Sequence, residues 1–219
     1  MLLVSDHRDI SRFSHRVAEH FGQYVGEANL NLGCAQNPEP GFVNLDLDQR
    51  ATAEVFHDLE SVPLPFGDSQ FDCVLGSHVF EHVRNFLPLV ADIHRILKPG
   101  GVLIGITPYI SSDDAWDSPH HVRAFSENTW HYVCQSLYAC ADPADPTAYQ
   151  HAGRGAYQGY EYKPWQVAEI RLSPYPDIAA AAMAAARQGQ LASDVLNLWK
   201  RQNRNVIKEI TCVLRKVSE

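Results

Sequence analysis

ANLNLGCAQNPEPGFVNLDL (Ala28–Leu47) is the stretch around which the chain is arranged. A short apolar run, Leu30–Asn31–Leu32, ends in Gly33-Cys34-Ala35. A turn rich in Asn and Pro follows, Gln36 to Gly41, and a second run, Phe42–Val43–Asn44–Leu45, ends in Asp46. Strand, small-residue turn, strand with a terminal carboxylate is the layout of a nucleotide-binding α/β half. A glycine has no Cβ to hold a ligand away from the main chain. A carboxylate closing the second strand can accept from both hydroxyls of a ribose.

The same order of signals continues downstream. His57-Asp58-Leu59-Glu60 precedes Leu64-Pro65-Phe66; Phe71 to Ser77 runs into His78-Val79-Phe80-Glu81-His82; Arg95-Ile96-Leu97-Lys98-Pro99-Gly100-Gly101 leads into another apolar run. Together these segments resemble motif I, the acidic motif, the adenine loop, the fourth strand and the turn into the fifth strand of the class I S-adenosylmethionine (SAM) methyltransferases, in their methyltransferase type 11-like bacterial subgroup. The resemblance covers Ala28 to Pro108. It implies a three-layer Rossmann-like α/β fold. Its seven-stranded sheet is parallel except for a seventh strand lying antiparallel between the fifth and sixth.

It also implies SAM as cofactor. Gly33, Cys34 and Ala35 would pass its methionine end, Asp46 would accept from the ribose with Leu47 beside it, and Asp58 and Leu59 would meet the adenine. Ser77 and His78 would lie beneath the sulfonium. Asp48 is a weaker ribose candidate. The family's usual second glycine, two residues after the first, is Ala35 here and adds one methyl at the methionine end.

Hydrophobic periodicity extends the pattern to the whole chain. Ile10 to Val25 carries Phe13, Val17, Phe21 and Tyr24 at helical spacing. Strands are expected at 29–33, 42–46, 54–57, 73–77, 102–107, 165–172 and 205–217. Helices are expected as a weak turn near Thr52, over 85–97 with Leu87, Val90, Ile93, His94 and Leu97 inward, over 128–137 with Ser126 as N-cap, and over 177–204 with a break near Gly189. Alternation of this kind brings the C-terminal strand ends to one edge, where ligands bind. The chain reads as a single domain, 1–219, with an N-terminal helix in 1–27 and an inserted loop and helix lid at 109–162. The lid aromatics are Tyr109, Trp116, Phe125, Trp130, Tyr149, Tyr157, Tyr160 and Tyr162.

Composition narrows the partners. The net charge is −8 and no basic stripe is visible, which argues against nucleic acid. Lys200, Arg201 and Arg204 read as a solvated helix end. Five cysteines without a Cys-x-x-Cys pair suit a reducing, cytoplasmic setting, with Cys34, Cys73 and Cys212 as small buried hydrophobes. No apolar run reaches membrane-spanning length. The expected partners are a small-molecule or sugar substrate and, at most, a second copy of the chain as a homodimer.

Methyl transfer asks the protein to align donor and acceptor and to take a proton where the acceptor has one. His121, with His120 as substitute, is the expected general base, since imidazole accepts protons near neutral pH. Arg123 is expected to hold the loop or an anionic part of the substrate, with Tyr109 and Trp116 beside it. His78, Glu81 and His82 match His-x-x-Glu-His, but at this place in the pattern they read as a loop anchor, and no metal is expected. The reading is a methyltransferase acting on a hydroxyl, less readily an amine, in polysaccharide or secondary-metabolite synthesis. The alternative is a SAM-binding scaffold or sensor without turnover.

Overall fold

The computed structural model describes residues 20–134, 163–186 and 192–217. Its strands are β1 (Asn29–Leu32), β2 (Val43–Asp46), β3 (Val55–Phe56), β4 (Phe71–Ser77), β5 (Leu97–Pro108), β6 (Trp165–Pro174) and β7 (Ile207–Lys216). They form one seven-stranded sheet in the order β3-β2-β1-β4-β5-β7-β6. The first five strands are parallel, and β7 runs antiparallel to both β5 and β6, as expected. The helices are α1 (Phe86–Ile96), α2 (Glu127–Tyr132), α3 (Pro176–Ala186) and α4 (Ala192–Gln202).

The alternation within β1 and β2 sorts their side chains between the two faces. Leu30, Leu32 and Leu45 join Val74, Leu89, Val90 and Ile93 in the larger core. Asn29, Asn31 and Asn44 turn the other way. That face has an unexpected cover. Among the described residues no helix lies between β1 and β2 or between β2 and β3, although parallel neighbours usually need a crossover of a dozen residues or more.

The asparagines account for the difference. Asn31 Nδ2 donates to Asn44 Oδ1 (3.0 Å), and Glu39 N donates to the same oxygen (2.8 Å). Asn44 Nδ2 donates to Phe42 O (3.1 Å) and Asn29 Nδ2 to Gly26 O (2.8 Å). Side-chain amides thus satisfy a short loop's backbone where an apolar stripe would have received a helix.

α1 begins under a cap supplied from a distant loop. Glu60 accepts from Arg84 N (2.7 Å) and Asn85 N (2.8 Å), two donors at the free end of the helix. Its buried face is Phe86, Leu89, Val90, Ile93, His94 and Ile96, rotated from the expected one, and Leu87 is only half-buried. The edge-on contacts of Phe86 with Phe80 (5.9 Å) and Phe125 (5.3 Å) set that rotation. β5 starts at Leu97 rather than at 102, with the expected turn absorbed as an irregularity between the pairs Phe71–Leu97 and Cys73–Val102.

The second face buries Phe21 and Phe42 against Cys73, Leu75, Val102, Ile104, Ile106 and Val213. Arg171 lies over the Phe21 ring at 4.6 Å. The expected N-terminal helix lies outside the described residues up to position 19, and a 3₁₀ turn occupies Gly22–Tyr24.

The described part of the expected lid, 109–134, is anchored to the core at several points, with residues such as Ile110 and Val122 left exposed. Tyr109 bridges to Phe125 along the backbone, and Ser126 and Thr129 form a capping box on α2. Trp130 is fully buried against Phe80, Phe86 and Phe125. A Cβ at Gly105 would sit 2.2 Å from its ring, so only glycine lets β5 pass there. The basic residues near 200 are only in part a solvated end: Arg201 and Arg204 are exposed, and Lys200 is largely covered. Lys200 pairs with Glu127 (2.6 Å) and Arg204 with Asp113 (2.9 Å), fastening α4 to this segment. Residues 135–162, with Tyr149, Tyr157, Tyr160, Tyr162 and the end of the expected 128–137 helix, lie outside the described residues.

Candidate active site

The C-terminal ends of β1 to β5 carry Gly33, Asp46, His57-Asp58, Ser77 and Tyr109 to one edge of the sheet. Gly33 has φ +64°, and a Cβ there would meet Val79 Cγ2 at 2.6 Å. Both Gly33 N and Cys34 N donate to Leu45 O (2.8 and 3.2 Å). Ala35 also sits in the left-handed region, at φ +47°, and its N–H donates to Asp46 Oδ2 (2.8 Å). All three N–H groups of the turn are therefore used inside the protein. The turn can offer a ligand close approach but not these donors. The Cys34 side chain is turned in, with Sγ 3.5 Å from Thr52 O, and burial, aided by the Asp46 charge, pushes its thiol up to about 11.

Asp46 is the best-placed ligand group at this edge. Oδ2 accepts from Ala35 N and Oδ1 from Asp48 N (2.8 Å), which fixes the carboxylate and leaves each oxygen a further lone pair. Asp48 is spent elsewhere. Its hydrogen bonds with Arg50 (Nη2 to Oδ2, 2.6 Å) hold it down to about 2. Leu47 is 65% exposed and Phe56 is exposed at the end of β3. A carboxylate with open lone pairs beside bare apolar surface fits a ribose joined to a purine. Asp58 accepts from Glu60 N (2.9 Å) and Leu59 is buried beside it.

Beyond β4, Ser77 is half-buried, and His78 is held at φ +52° with its N–H on Ile106 O (2.8 Å). Its Nε2 lies 3.0 Å from Glu209 Oε1 and its Nδ1 3.4 Å from Glu81 Oε1. Burial opposes a charge on this ring, but the bond to Glu209 and the nearby Glu81 carboxylate prevail and raise it to about 10. His78 is thus a cation between two acids that are almost wholly buried. Neither acid was among the expected site residues. The signal for Glu209 was a charge inside the apolar run Ile207 to Leu214, opposite Pro108 at the end of β5.

The expected substrate residues divide. Tyr109 is buried, its hydroxyl donating to Glu127 (2.9 Å), and it frames the site from within. Trp116 is exposed, with Nε1 donating to Ile110 O (3.0 Å). Arg123 donates to Val83 O (3.2 Å) and Arg84 O (2.8 Å) and lies over the Phe86 ring at 5.0 Å, so it holds the loop. His120 is exposed; His121 is half-buried, packs edge-on against His82 at 4.7 Å, and has Nδ1 3.2 Å from Ala115 O.

A family model described as "Methyltransferase domain" matches residues 33–105, the span from Gly33 through most of β5. The fold also matches the crystal structure of a SAM-dependent methyltransferase from Archaeoglobus fulgidus, with a TM-score of 0.59, 12% identity and 93% of each chain covered. Residues 33–105 thus match a methyltransferase domain, and the whole chain has the class I methyltransferase fold.

The same fold serves other chemistry. The domain resembles the [4+2]-cyclase SpnF with a TM-score of 0.54 and 16% identity, over 95% of this chain and 82% of that one. Among curated proteins, a malonyl-[acyl-carrier protein] O-methyltransferase from Serratia marcescens is 29% identical over 180 residues, covering 71% of this chain. The chain spans 60% of that relative's length. Among the described residues no helix is long and apolar enough to cross a membrane.

Proposed function

We propose that this domain transfers a methyl group from SAM to a hydroxyl oxygen of a small molecule or sugar. The observation that carries the reading is Asp46: a fixed carboxylate with open lone pairs at the end of β2, beside the bare Leu47 side chain. When bound, SAM supplies a methyl group already electrophilic on a sulfonium. The chain's own residues then hold and orient. Asp46 receives the ribose hydroxyls, Leu47 covers the purine, Asp58 takes its exocyclic amine and the main-chain N–H of Leu59 meets a ring nitrogen. Gly33 and Ala35 leave room for the methionine end, and Ser77 and His78 line the approach to it.

His121 and His120 are the proton acceptors offered to the substrate. A backbone carbonyl facing Nδ1 of His121 fixes the proton there and leaves Nε2 with its lone pair. Trp116 offers an exposed aromatic face of the kind that packs on sugars and flat rings. The O-methyltransferase relative from Serratia marcescens supports oxygen as the acceptor atom.

Calorimetric titration with SAM and with S-adenosylhomocysteine tests the reading. Asp46→Ala should weaken both by at least tenfold, since charge-assisted hydrogen bonds are lost, while Asp48→Ala should leave them unchanged. Equal affinities in wild type and Asp46→Ala would refute it.

A further inference from the structure

We propose that Glu81, His82 and His121 form a site for one divalent transition-metal ion of the zinc class. One ligand-capable atom from each side chain lies within 4.8 Å of the others. The residues come from two segments, the turn after β4 and the loop before α2, joined where Val122 N donates to Glu81 O (2.8 Å).

Two features go beyond proximity. Glu81 is 1% exposed, and both of its carboxylate oxygens are buried with no hydrogen-bond partner. Its cationic neighbour, His78 Nδ1, stands off at 3.4 Å, and that ring is drawn toward Glu209 at 3.0 Å. A buried carboxylate without hydrogen bonds is costly; His78 answers this one only in part, and a second cation would complete it. The second feature is the setting of the imidazoles. His82 Nδ1 lies 3.3 Å from His120 O and His121 Nδ1 lies 3.2 Å from Ala115 O. A carbonyl can only accept, so each ring carries its proton on Nδ1 and keeps the Nε2 lone pair free. Backbone carbonyls orient metal-binding histidines in this way.

Two imidazole nitrogens and one carboxylate oxygen suit Zn²⁺ and leave coordination positions open. A tetrahedral ion with bonds near 2 Å wants its ligand atoms roughly 3.4 Å apart. The exposed His82 side chain would have to shift toward Glu81 and His121 to close the difference. The spacing His78-x-x-Glu81-His82 alone points to the wrong third ligand, because His78 is engaged by Glu209.

The site stands on this geometry; its use in catalysis rests on the methyl-transfer reading. There an open position takes the acceptor hydroxyl and makes its proton easier to lose. Because the ion occupies the lone pair of His121, His120 receives that proton.

The test is uptake of Zn²⁺ by chelator-stripped protein, read by competition with a chromophoric chelator, together with the visible spectrum of the Co²⁺ form. Wild type should bind one ion per chain. His121→Ala and His82→Ala should lose at least tenfold in affinity and the Co²⁺ bands of an imidazole site, as should Glu81→Gln. His120→Ala should keep both. No stoichiometric uptake, or uptake indifferent to His121 and His82, overturns the proposal. Titration of the stripped protein with SAM separates the two readings: undiminished SAM binding without ion uptake rejects the metal site alone, and ion uptake without SAM binding rejects the cofactor reading alone.

Discussion

His78 reaches from the end of β4 across to β7, where its Nε2 lies 3.0 Å from Glu209 Oε1. This link ties the segment after β4 to a strand near the far end of the chain. His78→Ala would leave Glu81 and Glu209 buried without that cation. Breaking a buried pair costs about 3–5 kcal/mol, and the 41% exposure of the His78 side chain lowers the expectation to about 2–3 kcal/mol. Urea denaturation should show that loss, and Glu209→Gln introduced together with His78→Ala should recover part of it.

Ala35 occupies a left-handed conformation, φ +47°, that costs a residue bearing a Cβ about 1 kcal/mol. Ala35→Gly should raise stability by about that amount, less the entropy a glycine gains in the unfolded chain. SAM affinity should hold or improve, since the methyl group leaves the methionine end of the proposed site. A weaker complex on calorimetry would contradict this.

Glu39 gives stability a slope on the neutral side. Burial pushes its carboxyl from 4.5 up to about 7. The folded chain therefore keeps a proton that the unfolded chain releases between those values. Stability is full below the lower value and falls as pH rises toward the upper one, by about 3 kcal/mol at most. Glu39→Gln should remove the slope and leave the variant more stable at about pH 8 than wild type. Thermal midpoints on both sides of the window decide it.

His94 works on the acid side. Burial, with Lys216 adding to it, lowers this imidazole from 6.5 to about 4. The unfolded chain takes up the proton first, so stability present above the ordinary histidine value is lost as pH falls toward the lowered one. His94→Phe keeps the edge-on contact with Trp165, 4.9 Å between centroids, and should flatten this limb in denaturation curves.

Local pattern explains how much was legible in the residues themselves. The alternation in Asn29–Leu32 and Val43–Asp46 marked two strands and put Asp46 at a strand end. The missing crossover helices were also visible, in the polar half of the same alternation: Asn29, Asn31 and Asn44 are not residues that receive a helix. What could not be read were relations set by distant chain. Glu209 meets His78 only because β7 inserts beside β5. The inward face of α1 depends on Phe125, and Arg123 is taken up by carbonyls that periodicity does not reveal. His121 comes beside His82 because two loops share one backbone bond.

The loop without a helix has a kinetic consequence. Leu30 pairs with Val43 and Leu45 with Val55, so β1, β2 and β3 close through short stretches of chain. Short loops cost little closure entropy, and contacts near in sequence form early. β7 must instead travel back to lie along β5, where Thr107 meets Ile210. The asparagine-lined corner can therefore assemble while the other edge of the sheet is still searching. The half that holds Asp46 becomes the seed on which the later strands are laid.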